Sequence, residues 1–273
     1  MTVIGTNVAA LRAASASNSA SSMLQTAQQR LSTGKRINSA RDDAAGLAIA
    51  TSMQSQITGM NQGIRNANDG ISMAQTAEGS LDEVTNMLQR MRELKVQSAN
   101  GTYSTSDVAN MKTEQDALAS QITSVVNNTQ FNGKNLFDGT AGSAGAVTIQ
   151  AGANASDTVT LNLANLKTDT DLAKVVASGA SVAGASLTDY DSAIAKIGTT
   201  RAGLGATENR LTSAVNNLTT NSTNLADAQS RIQDADFSTE STNLAKAQIL
   251  SQASTAMLAQ ANQSTSSVMS LLR

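Results

Sequence analysis

The sequence has 273 residues and a formal net charge of −2 at pH 7, and it contains no cysteine, histidine, proline or tryptophan. The missing cysteines exclude a disulfide framework and a thiolate metal site, and the missing histidines remove the commonest general base. The near-neutral charge offers no basic surface to nucleic acid, and no window is apolar enough to span a membrane. We therefore predict a protein that is not an enzyme, holds no metal or cofactor, binds no nucleic acid and does not insert into a membrane.

The first predicted helix carries no charged residue between Arg12 and Arg30. This stretch is built mainly from Ala, Ser, Gln, Leu and Met, whereas a solvated helix normally carries charges on its outer face. We expect a helix of small, uncharged side chains to pack against other helices on most sides. Residues 1–12 lack the basic and apolar regions of a secretory signal, so the sequence predicts no cleaved signal peptide.

Two short polar motifs follow this helix. Gly34 is expected to end the helix as a C-cap, with Lys35 beside the negative end of the helix dipole. The adjacent Asp42 and Asp43 suggest a metal or acid/base pair, but neighbouring residues on a helix point about 100° apart. We interpret the two acids as caps of the helix that follows.

A long helix is predicted over residues 44–98. Its apolar residues alternate in steps of four and three, which is the heptad of a coiled coil, with one extra three-residue step. At a rise of 1.5 Å per residue this helix is about 80 Å long, which predicts an elongated molecule. The heptad positions are Met53, Ile57, Met60, Ile64, Ala67, Ile71, Ala74, Ala77, Leu81, Val84, Leu88 and Met91.

A second heptad helix and then a β-hairpin are predicted after this helix. Thr105 or Ser106 is expected to cap a second heptad helix, which ends at a turn over residues 131–133. Further on, apolar and polar residues alternate in residues 147–151 and again in residues 159–163. The alternation predicts a β-hairpin within a segment that is otherwise rich in small and polar residues.

Helical order returns near Asp191. Its heptad has polar residues, Ser222 and Gln229, at two seam positions. Asp236 or Ser238 is expected to cap the last helix, which begins after a short interruption.

The last helix is uncharged from the residue after Lys246 to the residue before Arg273. The simplest partner for this uncharged end is the uncharged helix at the other end of the chain. A weak apolar stripe on the last helix contains Leu250, Ala253, Met257, Ala261, Ser264, Val268 and Leu271.

These elements predict a mainly α fold, an elongated helical bundle or coiled coil of N- and C-terminal helices with a small middle segment that contains a β-hairpin. We expect a terminal coiled-coil domain of residues 1–43 and 234–273. Residues 44–137 and 191–233 form the predicted heptad helical domain, to which the hairpin and exposed loops of residues 138–190 belong.

Several long motifs resemble bacterial flagellins. RLSTGKRINSARDDAAGLAIA at residues 30–50 is similar to the N-terminal signature of that family, and QFNGKNLF at residues 130–137 continues the match. RIQDADFSTESTNLAKAQIL at residues 231–250 and MLAQANQSTSSVMSLLR at residues 257–273 resemble its C-terminal signature. The middle segment is short, which implies a flagellin without large outer domains.

The resemblance implies an extracellular filament subunit of the flagellum, exported without a cleaved signal peptide and serving motility. It implies termini that are disordered in the monomer and pair as a coiled coil lining a central channel, surrounded by a tube of the heptad helices. The implied partners are other copies of the chain or other flagellins, an export chaperone and the export apparatus, and the cap and hook-junction proteins. The residues expected to carry subunit assembly are Leu24, Leu31, Leu250, Met257, Leu258, Val268 and Leu271.

Two further expectations come from the same resemblance. A helical patch in this family is a ligand for a vertebrate innate receptor, and Arg90, Leu94 and Glu114 stand at the matching positions. Lys95 replaces the small residue usual beside them.

The alternative function is a hook–filament junction protein, which shares the helical plan but closes a ring and does not propagate a filament.

Overall fold

The computed structural model describes residues 6–177 and 184–270, with side chains described as far as residue 264. Within these residues the chain is mainly helical, with two small antiparallel hairpins, as the sequence predicts. The helices are α1 (Val8–Thr33), α2 (Ala44–Ser98), α3 (Thr105–Asn128), α4 (Thr170–Val176), α5 (Leu187–Gln233) and α6 (Phe237–Ser270). The strands are β1 (Gln130–Phe131), β2 (Lys134–Asn135), β3 (Ala146–Gln150) and β4 (Thr158–Asn162).

The chain divides into two compact units. The terminal unit contains residues up to 55 and from 224 onward, and the central unit contains residues 56–223. The boundaries between the units therefore fall within α2 and α5. The domains predicted from the sequence, with their roles in a filament, stay a prediction.

The heptad seam of α2 forms the core of the central unit. Leu81, Val84, Leu88 and Met91 are fully buried, as the predicted spacing requires. The same core contains Phe137 and Tyr190, two of the five aromatic residues in the chain. Residues from α3, α5 and the middle segment complete it, among them Ile122, Leu136, Leu161, Leu166, Leu172, Ile197 and Leu204.

The predicted β-hairpin is present and packs on α2 within the central unit. β3 pairs antiparallel with β4, and Asn66 of α2 donates a hydrogen bond to the Gln150 carbonyl at 3.0 Å. A Cβ atom on Gly63 would stand only 2.7 Å from the backbone nitrogen of Gly152. Glycine on α2 therefore lets the end of the hairpin approach the helix backbone closely.

The start of α3 differs from the prediction by one residue. The N-cap is Ser104, not Thr105 or Ser106, because Ser104 and Asp107 form a capping box. The Asp107 N–H donates to Ser104 Oγ at 3.3 Å, and the Ser104 N–H donates to Asp107 Oδ2 at 3.1 Å. The two reciprocal bonds satisfy donors that the first turn of a helix leaves open.

Three of the other predicted caps lie where the sequence places them, and Asp42 does not. Gly34 ends α1 in the left-handed conformation, with φ of 70°. Asp43 Oδ1 accepts the Gly46 N–H at 2.9 Å at the start of α2. Asp236 Oδ1 accepts the Ser238 N–H at 2.9 Å and so caps α6. Asp42 closes the preceding turn instead, since its Oδ2 accepts N–H groups from residues 38 and 39.

Candidate assembly interface

The two ends of the chain pair with each other in the terminal unit, as predicted. On α1 the buried residues Ala13, Ala20 and Ala27 recur every seven residues, which places them along one seam. On α6 the seam residues are also seven apart, and most are small or polar: Glu240, Ala247, Ser254 and Ala261. Small side chains at these positions let two helices approach closely, but they bury little apolar area per residue.

Polar contacts fix the antiparallel direction of this helix pair. At one end the Asn7 side-chain amide donates to the Ala261 carbonyl at 2.9 Å, while Asn7 Oδ1 accepts the Ala10 N–H at 3.0 Å. At the other end Arg30 Nη1 lies 3.6 Å from Glu240 Oε2, and the Glu240 side chain is 9% exposed. A carboxylate this buried requires a cation beside it, so Arg30 sets the register of the pair.

The two segments that connect the paired helices to α2 and α5 also contact each other. The Arg36 N–H donates to the Gln233 carbonyl at 2.7 Å, and the Ala235 N–H donates to the Gly34 carbonyl at 2.9 Å. The Arg36 guanidinium donates to the Ile232 carbonyl at 2.6 Å. These bonds join two segments that lie at opposite ends of the sequence.

One side of the α1–α6 pair is an exposed surface, which we call the lateral face. Two shallow grooves lie along it, beside the shared seam of the two helices. The lining of the first includes Ala9, Arg12, Ala16, Ala253, Met257, Gln260 and Ser264. The lining of the second includes Met23, Thr26, Arg30, Asn243 and Lys246.

The lateral face carries apolar side chains that the terminal unit leaves exposed. Met23 is 55% exposed and Met257 63%, and each lines one of the two grooves. Exposed apolar side chains in a groove are available for contact with another molecule. The charged groups that line the two grooves are the cations Arg12, Arg30 and Lys246, together with Glu240, which pairs with Arg30.

The structure separates the predicted assembly residues into two groups. Leu24, Leu31 and Leu258 are half-buried, and each stands four residues after a buried seam residue, on the same side of its helix. Met257 lines the lateral face, and Leu250 is 39% exposed. Val268 lies in α6 beyond the last described side chain, and Leu271 lies outside the described residues.

The stripe predicted on the last helix is therefore mostly not the stripe that contacts α1. Of the predicted stripe, Ala253 and Met257 line the lateral face, whereas Ala261 lies in the seam with Ala247 and Ser254. The prediction missed most of the seam because it followed the largest apolar residues. The signal that could have found it is the seven-residue recurrence of alanine on α1.

The predicted receptor patch is a second surface, where α2 meets α3 in the central unit. Arg90 Nε donates to Glu114 Oε1 at 2.9 Å, and Arg90 Nη1 lies 3.3 Å from Glu93 Oε2. These hydrogen bonds, that to Glu114 first, raise the pKa of Arg90. Leu94 is only 2% exposed and forms part of the wall of a shallow groove that also contains Tyr103.

Within the described residues, the prediction of no metal site concerns the Asp and Glu side chains. No group of three or more Asp or Glu side chains in this part of the chain is placed to hold a metal ion. None of the described helices is both long enough and apolar enough to cross a membrane. What this part of the chain does present is a set of helices with exposed apolar side chains.

Comparison with known proteins identifies the family. The chain matches the family model for the bacterial flagellin N-terminal helical region over residues 4–142, and that for the C-terminal helical region over residues 187–272. It is 40% identical to a flagellin of Bacillus subtilis strain 168 over an alignment of 302 residues that covers 99% of each chain. It resembles the crystal structure of Bacillus cereus flagellin, with a TM-score of 0.50, 34% identity and coverage of 60% of this chain and 94% of the other.

Other relatives are much longer than the chain. The B-type flagellin of Pseudomonas aeruginosa is 48% identical over 162 residues, which is 59% of this chain but 33% of the relative. The chain thus spans about a third of that protein's length. Both matched regions are helical and lie at the two ends of the sequence, and the class they define is a helical structural subunit. The chain belongs to the bacterial flagellin family, whose members are extracellular filament components and not enzymes.

Proposed function

We propose that the chain is exported from the cell and polymerises, with itself or with other flagellins, into the flagellar filament for swimming motility. The observation that carries this proposal is the lateral face, where Met23 and Met257 lie exposed beside a seam that buries mainly small side chains. Covering one such side chain contributes about 2 kcal/mol. Repeated around a helical array, the same contact stabilises both the polymer and the paired ends.

Assembly and folding of the ends are coupled in this proposal, because the seam between α1 and α6 buries little apolar area. Ala13, Ala20 and Ala27 bury little area, and a helix pair with little buried area is marginal in water. Contacts with neighbouring copies supply the missing burial. Because such contacts join different surfaces of successive copies and do not close, they generate a helix and not a ring.

Seeded polymerisation tests this proposal. Electron microscopy compares the full chain, seeded with filament fragments, with a chain that lacks residues 1–30 and 247–273. We expect only the full chain to extend into long filaments. As a matched point variant, Leu258→Asp places a carboxylate in the α1–α6 seam and should block extension while the central unit stays folded. Normal filaments from the truncated chain would refute the role of the ends.

Export from the cell and assembly into a filament imply further partners for the chain. An export chaperone would cover the exposed apolar residues of the ends before export, and the export apparatus would pass the chain unfolded. Cap and hook-junction proteins would contact the first and last subunits. The exposed uncharged residues Gln28, Gln252 and Gln263 suit the wall of a channel that must not hold a passing chain.

The hook–filament junction remains the alternative function. The match over 99% of a Bacillus subtilis flagellin favours the filament subunit, because it includes both end regions and the middle segment. Seeded growth also separates the two functions, since a junction protein forms small rings or stays monomeric where a filament subunit extends the seed.

We also propose that the Arg90 patch is a ligand for the vertebrate innate receptor. The Arg90–Glu114 ion pair and the buried Leu94 line the same groove, so polar and apolar groups are offered together. Arg90→Ala should weaken binding of the purified monomer to the receptor. Arg92→Ala is the matched control, since Arg92 pairs with Asp191 at 2.7 Å and not with Glu114. Equal binding by the two variants would refute this proposal.

A further inference from the structure

The loop between α2 and α3 contains an exposed Asn-Gly pair. Asn100 and Gly101 follow the last turn of α2 and are both exposed. A second exposed Asn-Gly pair, Asn132 and Gly133, forms the turn between β1 and β2. Glycine after asparagine removes the side chain that would otherwise shield the next backbone nitrogen, so the asparagine side chain is accessible to it. The two pairs share the same chemistry but differ in backbone restraint.

The Asn100 N–H donates to the Gln97 carbonyl at 3.1 Å, but the bonds that close the loop after Asn100 are longer. The Thr102 N–H donates to Asn100 Oδ1 at 3.3 Å, and the Tyr103 N–H donates to the Asn100 carbonyl at 3.4 Å. Both distances are at the long end for hydrogen bonds. Within this fully described loop, the Gly101 N–H donates none of the bonds, so it is not held away from the Asn100 side chain.

The turn at Asn132 is restrained by its strands. Asn132 has φ of 49° and Gly133 has φ of 74°, the conformation of a two-residue hairpin turn. Phe131 pairs with Lys134 directly beside the turn, and the Leu136 N–H donates to the Thr129 carbonyl at 3.1 Å below it. Rotation of the Asn132–Gly133 peptide therefore has to disturb a paired ladder, whereas rotation at Asn100 does not.

We propose that Asn100 is a site of spontaneous deamidation in the folded protein. The Gly101 backbone nitrogen attacks Cγ of Asn100, the new C–N bond closes a succinimide, and the Cγ–Nδ2 bond breaks. Ammonia leaves with the proton that the Gly101 nitrogen gives up. One water molecule then opens the ring at either carbonyl, giving aspartate or isoaspartate, so that water is consumed and ammonia released with no oxidant.

The modification changes the groove beside α2. It places a carboxylate at the C-terminal end of α2, where the helix dipole disfavours an anion. The isoaspartate product also lengthens the main chain by one carbon and converts the carbonyl that holds the Tyr103 N–H into a carboxylate. Tyr103 accepts a hydrogen bond from the Gln97 side chain at 3.2 Å, so displacing it opens this end of the groove.

Peptide mass spectrometry of aged protein tests the proposal. The folded chain is incubated at mildly alkaline pH and cleaved with trypsin, which separates Asn100 (residues 96–112) from Asn132 (residues 113–134). We expect amide-to-acid conversion, with isoaspartate labelled by an isoaspartyl methyltransferase, to accumulate in the first peptide ahead of the second. In urea the two Asn-Gly pairs should react at similar rates, because the fold no longer distinguishes them.

Gly101→Ala is the matched variant. A Cβ atom on Gly101 meets no atom within 4 Å, and its φ is not in the left-handed region, so the variant should fold normally. It should lose the modification at Asn100 and leave the rate at Asn132 unchanged. Conversion at Asn132 that equals or exceeds that at Asn100 in the folded chain would overturn the proposal. So would an unchanged rate in Gly101→Ala.

Discussion

Ser104 sets the start of α3 through a reciprocal pair of bonds with Asp107. Removing its hydroxyl leaves a backbone donor of the first turn without its partner. We expect Ser104→Ala to lower the free energy of unfolding by about 1 kcal/mol. Thr105→Ala, one residue inside the helix, should change stability by less than about 0.5 kcal/mol. Urea unfolding of the two variants checks the difference, and a larger loss in Thr105→Ala would place the cap at the position predicted from sequence.

Asp138 makes the stability of the middle segment depend on pH. Hydrogen bonds from the Thr140 hydroxyl, the Thr140 N–H and the Asn135 amide hold the pKa of Asp138 at about 2, below its usual 3.8. A lowered pKa in the folded state means that the carboxylate stabilises the fold above pH 3.8, and this contribution is lost as pH falls toward 2. We expect Asp138→Asn to be less stable than the parent at pH 7.

The pH profile gives the sharper test of that contribution. The difference in unfolding free energy between the parent and Asp138→Asn should shrink as pH falls from 3.8 to 2. Denaturant titrations at several pH values measure it. A difference that stays constant over this range would show that the hydrogen bonds of Asp138 do not depend on its charge.

Residue types predicted where the helices are capped, but not which hydrogen bonds the capping side chains form. Asp and Ser before an apolar run indicate a helix start, which located Asp43 and Asp236. The capping box at Ser104 depends on an acid three residues later, and neighbouring Thr and Ser residues compete for the same role. Sequence alone therefore located the helix start to within one residue, whereas the hydrogen bonds decide which side chain caps it.

At the scale of the element, α2 offers two glycines with opposite environments. A Cβ atom on Gly63 would meet the backbone of Gly152 at 2.7 Å, whereas one on Gly79 meets nothing within 4 Å. Alanine is the better helix former by about 1 kcal/mol. We expect Gly79→Ala to be more stable than the parent by about that amount, and Gly63→Ala to be less stable by about 1–3 kcal/mol. Thermal or urea unfolding measures both, and stabilisation by Gly63→Ala would show that the hairpin is free to move off the helix.

The heptad helices were the most predictable elements. Their spacing predicted α2 at residues 44–98, and the buried residues from Ala74 to Met91 follow it. Near the start of this run Met73 is buried although the spacing did not predict it. Spacing could not predict how polar seam positions are used. The Gln229 side chain donates to the Ala50 carbonyl at 3.2 Å, a contact between two helices that are far apart in sequence.

The α1–α6 pair shows why the candidate interface was only partly predictable. Hydrophobicity ranks Leu250 and Met257 above Ala247 and Ser254, so a stripe drawn from sequence follows the larger side chains. In the structure the small residues are buried against α1 and the larger ones remain outside. A helix that serves two partners has two stripes, and composition does not tell which partner each one contacts.

For the whole molecule, the lateral face makes assembly sensitive to a single charge. Met257→Asp replaces an exposed thioether with a carboxylate but leaves the α1–α6 seam unchanged. Loss of about 2 kcal/mol of burial, with the cost of desolvating the carboxylate, should raise the critical concentration for polymerisation more than about tenfold. Sedimentation of seeded filaments measures this concentration.

Met257→Leu is the control for that experiment. It conserves apolar area at the same position, so its critical concentration should stay close to that of the parent. Circular dichroism should show the same central unit in all three proteins. If Met257→Asp polymerises as well as Met257→Leu, this position lies outside the contacts between subunits.

The contact between the two ends of the chain also fixes an order of folding. Asn7 and Ala261 are 254 positions apart, so the loop that their hydrogen bond closes is nearly the whole sequence. Contacts across so long a loop form after local ones, because the entropy of closure must first be offset by structure within the loop. In any process that delivers this chain from its first residue to its last, α1 therefore emerges long before its partner exists. The N-terminal helix remains single, and open to another molecule, until residues of α6 have followed.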